Sequence, residues 1–272
     1  MASHRCRGLV APISGLVSRT IETLISGVTS EASALARVLA NDHRFQATMS
    51  LAGRTQRPAQ HPLPARSGGF GGVEGLANYL VEHRIRALVD ATHAFAVQIT
   101  RHAELTTQLT STPLLVVQRP PWQRKRGDHW LDVPDLQSAV QAVGTVPKRV
   151  LLTIGQTDLA AFRSSPENVY VVRSIETPRP EDLPISAQVI TARGPFSLEH
   201  EIALLRERRI DVLVTKNSGG TATEAKLVAA RLLNIPVVMI SRPTPPRAKT
   251  VATVAEALMW LEQYHAEYWR GE

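Results

Sequence analysis

The feature that most constrains this chain is an alternation. Short, β-branched apolar runs are each followed by a polar or glycine-bearing turn, and then by apolar residues at helical spacing. Residues 22–25 lead into SGVTSE, after which Ala32, Leu35, Ala36 and Leu39 repeat on one helical face. Phe45, Ala47, Met49 and Leu51 alternate as a strand. Beyond a glycine-rich loop, Val73, Leu76, Ala77 and Leu80 form a second helical face, and residues 87–90 read as a strand. A helical stretch over residues 95–109 then leads to a strand at 113–117. The pattern restarts after Gly144, with strands at 149–154, 169–173, 188–191, 211–215 and 236–240. Helices are predicted near Leu159, over 197–208 and over 252–264, and Thr221 with Glu224 has the spacing of a capping box.

Such alternation specifies βαβ units on parallel sheets, an α/β fold. The restart divides the chain into two similar halves, residues 21–145 and 146–272, without close sequence repetition between them. Residues 1–20 carry Arg5, Arg7 and Arg19 with no acid before Glu22, and they are read as a disordered or upstream extension outside the fold.

Composition narrows the function classes. No apolar run approaches membrane-spanning length, and Cys6 is the single cysteine, which excludes internal disulfides and multi-cysteine zinc sites and suits a reducing, cytoplasmic setting. No metal site is expected. The net charge is +7, and only five of the 31 basic residues are lysines. Those arginines are interspersed with acids rather than run together, the densest cluster being Arg124, Lys125 and Arg126. Guanidinium groups pair bidentately with carboxylates or phosphates, so an acidic small molecule accounts for the bias as well as a nucleic acid does.

In open α/β sheets ligands bind beyond the carboxyl ends of the strands. The segment holding Gly27, Thr29 and Ser30 suits a phosphate at a helix N-terminus, or is an ordinary turn capped by Thr29 or Ser30. Ser50, Arg54 and Thr55 follow the second strand, where a binder of unphosphorylated NAD carries an acid; none occurs between Arg44 and Glu74. That chemistry favours NADP. The loop Gly69, Phe70, Gly71, Gly72 either lies against a ligand or takes left-handed dihedrals. His93 follows the third strand as a substrate-polarising group or a structural helix-start residue. Arg119 and Trp122, in RPPW, suggest a rigid wall with an exposed ring; Arg193 and the TKNSGG turn (Lys216, Asn217, Ser218, Gly219, Gly220) follow strands of the second half.

Taken in order, SLAGRT, GGFGGVEGL, DATHAF, RPPW, LLTIG, RGPF and VTKNSGG with its following AKL, over residues of about 24 to 243, resemble the precorrin-6A reductases of cobalamin biosynthesis. The resemblance implies two Rossmann-like parallel-sheet domains with the active site in the cleft between them, and hydride transfer from NADPH to a polycarboxylate tetrapyrrole, giving precorrin-6B. It carries a cofactor role to Gly27, Thr29, Ser30, Ser50, Arg54, Thr55 and residues 69–72. Substrate contact falls to Arg119, Trp122, Arg193 and residues 216–220, and Lys216 and His93 become the candidate catalytic residues. A monomer needing neither nucleic acid nor membrane is expected. Three departures stand out: Ser26-Gly27-Val28 where the family has Gly-Gly-Thr, Ala94 in place of proline, and Gln156 in place of an arginine. A positive φ at Ser26 would strain the first turn. Lys216 reads equally as a proton donor or as an anchor for a substrate carboxylate. The rival readings are a transferase using a nucleotide-derived cofactor such as S-adenosylmethionine, and an arginine-rich nucleic-acid binder.

Overall fold

The computed structural model describes residues 19–53 and 61–271; residues 1–18 of the leading segment, and Arg54 and Thr55, lie outside that range. Two six-stranded sheets form, and every strand pair in both is parallel. The first takes β1 (Ile21–Ser26), β2 (Phe45–Leu51), β3 (Ala65–Ser67), β4 (Ala87–Asp90) and β5 (Leu114–Val117), with helices α1 (Ser30–Leu39), α2 (Val73–Glu82) and α3 (Val97–Thr110) between strands. Next come β6 (Trp130–Val133) and α4 (Leu136–Val143). The second sheet is built on β7 (Arg149–Thr153), β8 (Val169–Ser174), β9 (Ala187–Thr191), β10 (Val212–Lys216) and β11 (Val237–Ile240), with α5 (Leu198–Glu207) and α6 (Ala225–Leu232). β12 (Lys249–Val251) and α7 (Val254–Tyr268) end the chain.

The strand orders are β12-β5-β4-β1-β2-β3 and β6-β11-β10-β7-β8-β9. Each sheet thus repeats one topology, and each takes its sixth strand from the other half. β6 follows β5 in sequence but pairs with β11; β12 follows β11 but pairs with β5. The sheets therefore do not divide at residue 145. β6 and β12 escape the sequence pattern for a physical reason: β6 exposes Leu131 and Asp132, and β12 exposes Lys249 and Thr250, so neither presents the buried apolar run of an interior strand. The interior strands do, with β4 and β11 buried at every position.

The exchanged C-terminal segment is a working part of the first core. Ala257 and Leu261 of α7 are fully buried among Ile21, Ile25, Leu35 and Phe45, with Trp260, Tyr264 and Tyr268 packed against them. Arg44 pairs with Glu262 at 2.7 Å, tying the start of β2 to the same helix. Thr253 and Glu256 close a capping box at its start. The box expected from Thr221 and Glu224 does not form. Residues Thr221–Thr223 turn as a 3-10 segment, α6 begins after it, and Glu224 pairs instead with Lys125 at 2.9 Å.

Leu261→Ala is expected to lower stability by about 3 kcal/mol. The measurement is urea unfolding with amide hydrogen exchange, and protection should fall in β1, β2 and α1, more than 200 residues away in sequence. Loss confined to α7 would mean that the exchanged helix is a dispensable appendage.

Candidate active site

In both sheets the strand order reverses at the same place, between β1 and β4 and between β7 and β10. Crevices open there at the carboxyl ends of the strands. In the first, Ser26 is the last residue of β1, in register with Ser50 and Asp90, and carries no strain. The constraint falls on Gly27, with φ +128°; a Cβ there would sit 2.4 Å from the Ala91 carbonyl oxygen. Only glycine fits, and the serine before it is accommodated. Thr29 fixes the next step. Its hydroxyl donates to the Ala91 carbonyl at 2.8 Å and accepts from the Ala32 amide at 3.1 Å, so it caps α1 and anchors the helix N-terminus beside β4.

At the neighbouring strand end, Arg66 organises the glycine loop. Its guanidinium donates to the buried Ser50 hydroxyl at 2.9 Å and to the carbonyls of Gly68 and Gly69 at 2.8 and 3.0 Å, and lies 3.8 Å from the Phe70 ring centre. Gly68, Gly71 and Gly72 have positive φ, and a Cβ at any of them, or at Gly69, would meet nothing within 4 Å. These glycines serve backbone conformation and leave the loop surface open. A capped helix start and an open glycine loop together fit a dinucleotide lying across the crevice.

The β4 turn carries His93. Buried Asp90 shapes it, accepting from the Thr92 amide at 2.9 Å and from the Thr100 hydroxyl at 2.6 Å. The His93 Nδ1 accepts from the Phe95 amide at 3.3 Å, which leaves the neutral ring its proton on Nε2. His93 is exposed by surface area, with the Phe95 ring 5.7 Å away shielding it in part. That desolvation, and the positive charges of Arg119, Lys216, Lys226 and Arg242, pull its pKa down to about 4. Solvent at the open edge tempers the shift without changing its direction. His93 is neutral at physiological pH.

Phe95 brings the two halves into contact, because the Lys216 ammonium lies 5.1 Å from its ring centre. Lys216 is also ion-paired with Asp158, in the 3-10 turn that follows β7. Arg119 spans the two halves as well. It reaches the Ser30 hydroxyl at 3.2 Å and the Glu31 carboxylate at 3.4 Å, while its side chain packs so closely on Gly220 that a Cβ there would lie 2.6 Å from Cδ. A small cleft lined by Thr29, Glu31, Thr92, Gln118, Arg119 and Ser218 opens between these elements.

TKNSGG is fastened from two sides. The Asn217 carboxamide accepts from the Trp122 amide at 2.8 Å and donates to its carbonyl at 3.1 Å, while the Trp122 indole donates to the Gly220 carbonyl at 2.8 Å. Trp122 is therefore buried, at 8% exposure, where the sequence suggested an exposed ring. Packing decides this, since the ring joins Leu151, Leu213 and Leu227 in the core of the second sheet. Arg242 grips the other side, donating to the carbonyls of Asn217 and Ser218 at 2.8 Å each. Gly219 has φ +67°, and a Cβ there would lie 1.9 Å from the Pro120 oxygen. Phe196 docks through its amide onto the Ala222 carbonyl at 3.2 Å, just after the turn, and Arg193 is exposed.

The structure thus gathers His93, Arg119, Lys216 and residues 217–220 where the halves meet, with Gly27, Thr29 and Ser30 on the adjoining helix start. Ser50 and residues 69–72 form the neighbouring strand end. Arg54 and Thr55 lie outside the described residues. Sequence reasoning missed Arg66, Asp158 and Arg242 as site-forming residues. Asp158 and Arg242 follow strand ends, as the chosen residues do, but no motif marks them. Gln156 donates to the Ser174 hydroxyl at 3.0 Å and the Glu176 carbonyl at 2.8 Å, a structural use that leaves it no free donor hydrogen on one edge.

Residues 22–262 match the family described as precorrin-6x reductase CbiJ/CobK. A protein of Rhodobacter capsulatus named precorrin-6A reductase is 43% identical over 244 residues, covering 89% of this chain and 96% of that one. One of Rhodococcus erythropolis with the same name is 46% identical over 239 residues, covering 88% and 96%. A solved structure titled CobK precorrin-6A reductase superposes with a TM-score of 0.84 at 41% identity, covering 90% of this chain and 97% of that one.

The His93 ring is expected to titrate near pH 4. Carbon-13 NMR of labelled histidine, with His93→Gln to assign the signal, measures it. Because the unfolded ring binds its proton near pH 6.5 and the folded ring does not, stability attributable to His93 falls as pH drops from about 6.5 to about 4. The glutamine variant should lack that slope. A midpoint at or above 6.5 would contradict the neutral ring.

Proposed function

This chain belongs to the precorrin-6x reductase family, and from that premise we propose how its residues divide the work of a precorrin-6A reductase, an oxidoreductase of cobalamin biosynthesis. The carrying observation is the match with relatives of that name along nearly the full length of both chains. Nothing in the fold or the charge distribution favours the transferase or nucleic-acid reading.

NADPH is the proposed reductant, taken up in the crevice between β1 and β4. Gly27, packed against Ala91, sets the turn that presents the α1 N-terminus, and that N-terminus, capped by Thr29, favours the pyrophosphate charge, with Ser30 beside it. Ser50 sits at the end of β2 with its hydroxyl held by Arg66, and Arg54 and Thr55 follow in sequence as ligands of the 2′-phosphate. The loop at residues 69–72 covers the adenosine side. When bound, the reduced nicotinamide supplies a hydride to the macrocycle.

The macrocycle is proposed to lie in the cleft where the halves meet, as a small-molecule polycarboxylate with no nucleic acid or membrane involved. Arg119 and Arg193 meet its carboxylates, and Lys216 stands with them. Trp122 acts from beneath, keeping residues 217–220 in a fixed turn. Neutral His93 offers Nε2–H as a hydrogen-bond donor without adding charge to a cationic cleft. Because Lys216 is committed to Asp158, its role is read as anchoring; it can donate a proton only by giving up that pair.

Fluorescence titration of NADPH and NADH against wild type and Arg54→Ala tests the cofactor assignment. Wild type should prefer NADPH, and the variant should lose about tenfold or more of NADPH affinity with NADH affinity little changed. Equal loss for both nucleotides would remove Arg54 from the 2′-phosphate. Preference for NADH in wild type would overturn NADPH as the reductant.

A further inference from the structure

Glu31 is an acid at a cleft proposed to receive anions on both sides, and the division of work above leaves it without a task. It stands on the first turn of α1, and with Arg119 it lines the small cleft that also takes in Thr29 at the helix start and Ser218 of the TKNSGG turn. Its carboxylate accepts from the Ser30 hydroxyl at 3.0 Å and pairs with Arg119 at 3.4 Å, the Glu31 and Arg119 side chains being 18% and 20% exposed. Among the described residues no other acid is ion-paired with Arg119.

Arg119 is free to move only at its tip. Before it, the Gln118 amide donates to the Val251 carbonyl at 2.8 Å, extending the pairing of β5 with β12. After it come Pro120 and Pro121, which restrict the backbone, and then Trp122, docked on Asn217. The stem lies against Gly220, where a Cβ would stand 2.6 Å from Cδ and 2.9 Å from Nε. The stem is thus laid against the TKNSGG turn, and the guanidinium tip is turned across to the α1 N-terminus by Ser30 and Glu31. Both contacts are made by one nitrogen, Nη1. A pair so long, single and partly exposed is weak, and a stronger anion can take it apart.

The N-terminus of α1 favours negative charge, and Glu31 supplies it in this structure. The pyrophosphate proposed for that helix end brings further negative charge to the same turn, at the edge of the interior where repulsion is poorly screened. Glu31 is partly exposed and can turn toward solvent, and its departure releases the Arg119 tip to the cleft. Resting on the reductase reading, we infer that Glu31 is a positioning residue: it holds Arg119 away from the macrocycle until it is displaced by the cofactor's pyrophosphate, so that cofactor binding promotes substrate binding. The two sites are coupled through one guanidinium, and the cofactor enters first. The other cleft cations cannot relay cofactor binding in this way, because Arg242 donates to the carbonyls of Asn217 and Ser218 and Lys216 pairs with Asp158 of its own half.

The test uses the full chain and oxidised NADP, which has no hydride to give, so precorrin-6A stays unreduced. The dissociation constant of precorrin-6A is measured by fluorescence quenching, alone and with saturating oxidised NADP. In wild type the nucleotide should tighten precorrin-6A about fivefold or more, and by reciprocity precorrin-6A should tighten the nucleotide by the same factor. Glu31→Gln keeps the shape and removes the charge. Without nucleotide it should bind precorrin-6A about as tightly as wild type does with it, so that the ratio falls to about one. A merely structural Glu31 would weaken both ligands and leave the ratio at its wild-type value, and that result overturns the proposal. So does a wild type whose precorrin-6A constant is unchanged or raised by the nucleotide, an outcome that needs no variant to fold. Turnover of precorrin-6A with NADPH is followed in parallel. Turnover without coupling overturns the role of Glu31 and leaves the reductase reading standing; no turnover by wild type overturns that reading, and the inference with it.

Discussion

The structure rests on the exchange of edge strands. A parallel sheet needs both faces covered and its edges closed, and here each half closes one edge of the other. β6 completes the second sheet and β12 the first, so the chain crosses between halves twice. These crossings hold the carboxyl ends of the two sheets near each other. Phe95 from the first half reaches Lys216 of the second, and Arg119, on the outbound crossing, touches both α1 and Gly220. A site made of two crevices is thereby a consequence of connectivity. Neither half could be moved independently without breaking pairing in a sheet.

Much of this was legible in the sequence because interior parallel strands are buried on both faces and must be continuously apolar. β4 and β11 announce themselves in that way. Edge strands have no such obligation, which is why β6 and β12 went unread and why the halves looked separable at residue 145. The site was legible in outline for a related reason: a polar residue at the carboxyl end of a buried strand stands out against its surroundings. What such a residue does there is another matter. Asn217 and Trp122 looked like ligand contacts, yet each satisfies the other, and Arg242 with Arg66 holds the backbone of the two key loops. Hydrogen-bond partners 25 to 95 residues away cannot be read from local pattern.

The distribution of charge around the cleft follows from the same division of labour. Arg66 and Arg242 spend their donors on carbonyl groups, and Arg44 on Asp42 and Glu262. For these three arginines the role is structural, while Arg119 and Lys216 stand at the cleft. Their effect is concentrated because they stand at the edge of a protein interior, where fields are less screened than in water. With desolvation as the larger cause, they hold His93 neutral. Carboxylates of a macrocycle would find there a site whose positive charge is not offset by a protonated imidazole's own demand for a counter-charge.

Rigidity is the first demand that a reduction of this type makes on its floor. Donors must be aimed before the substrate arrives, since groups that reorganise during the reaction lose the advantage of preorganisation. The TKNSGG turn meets the first demand through Trp122, Arg242 and the close approach of Gly219 to Pro120.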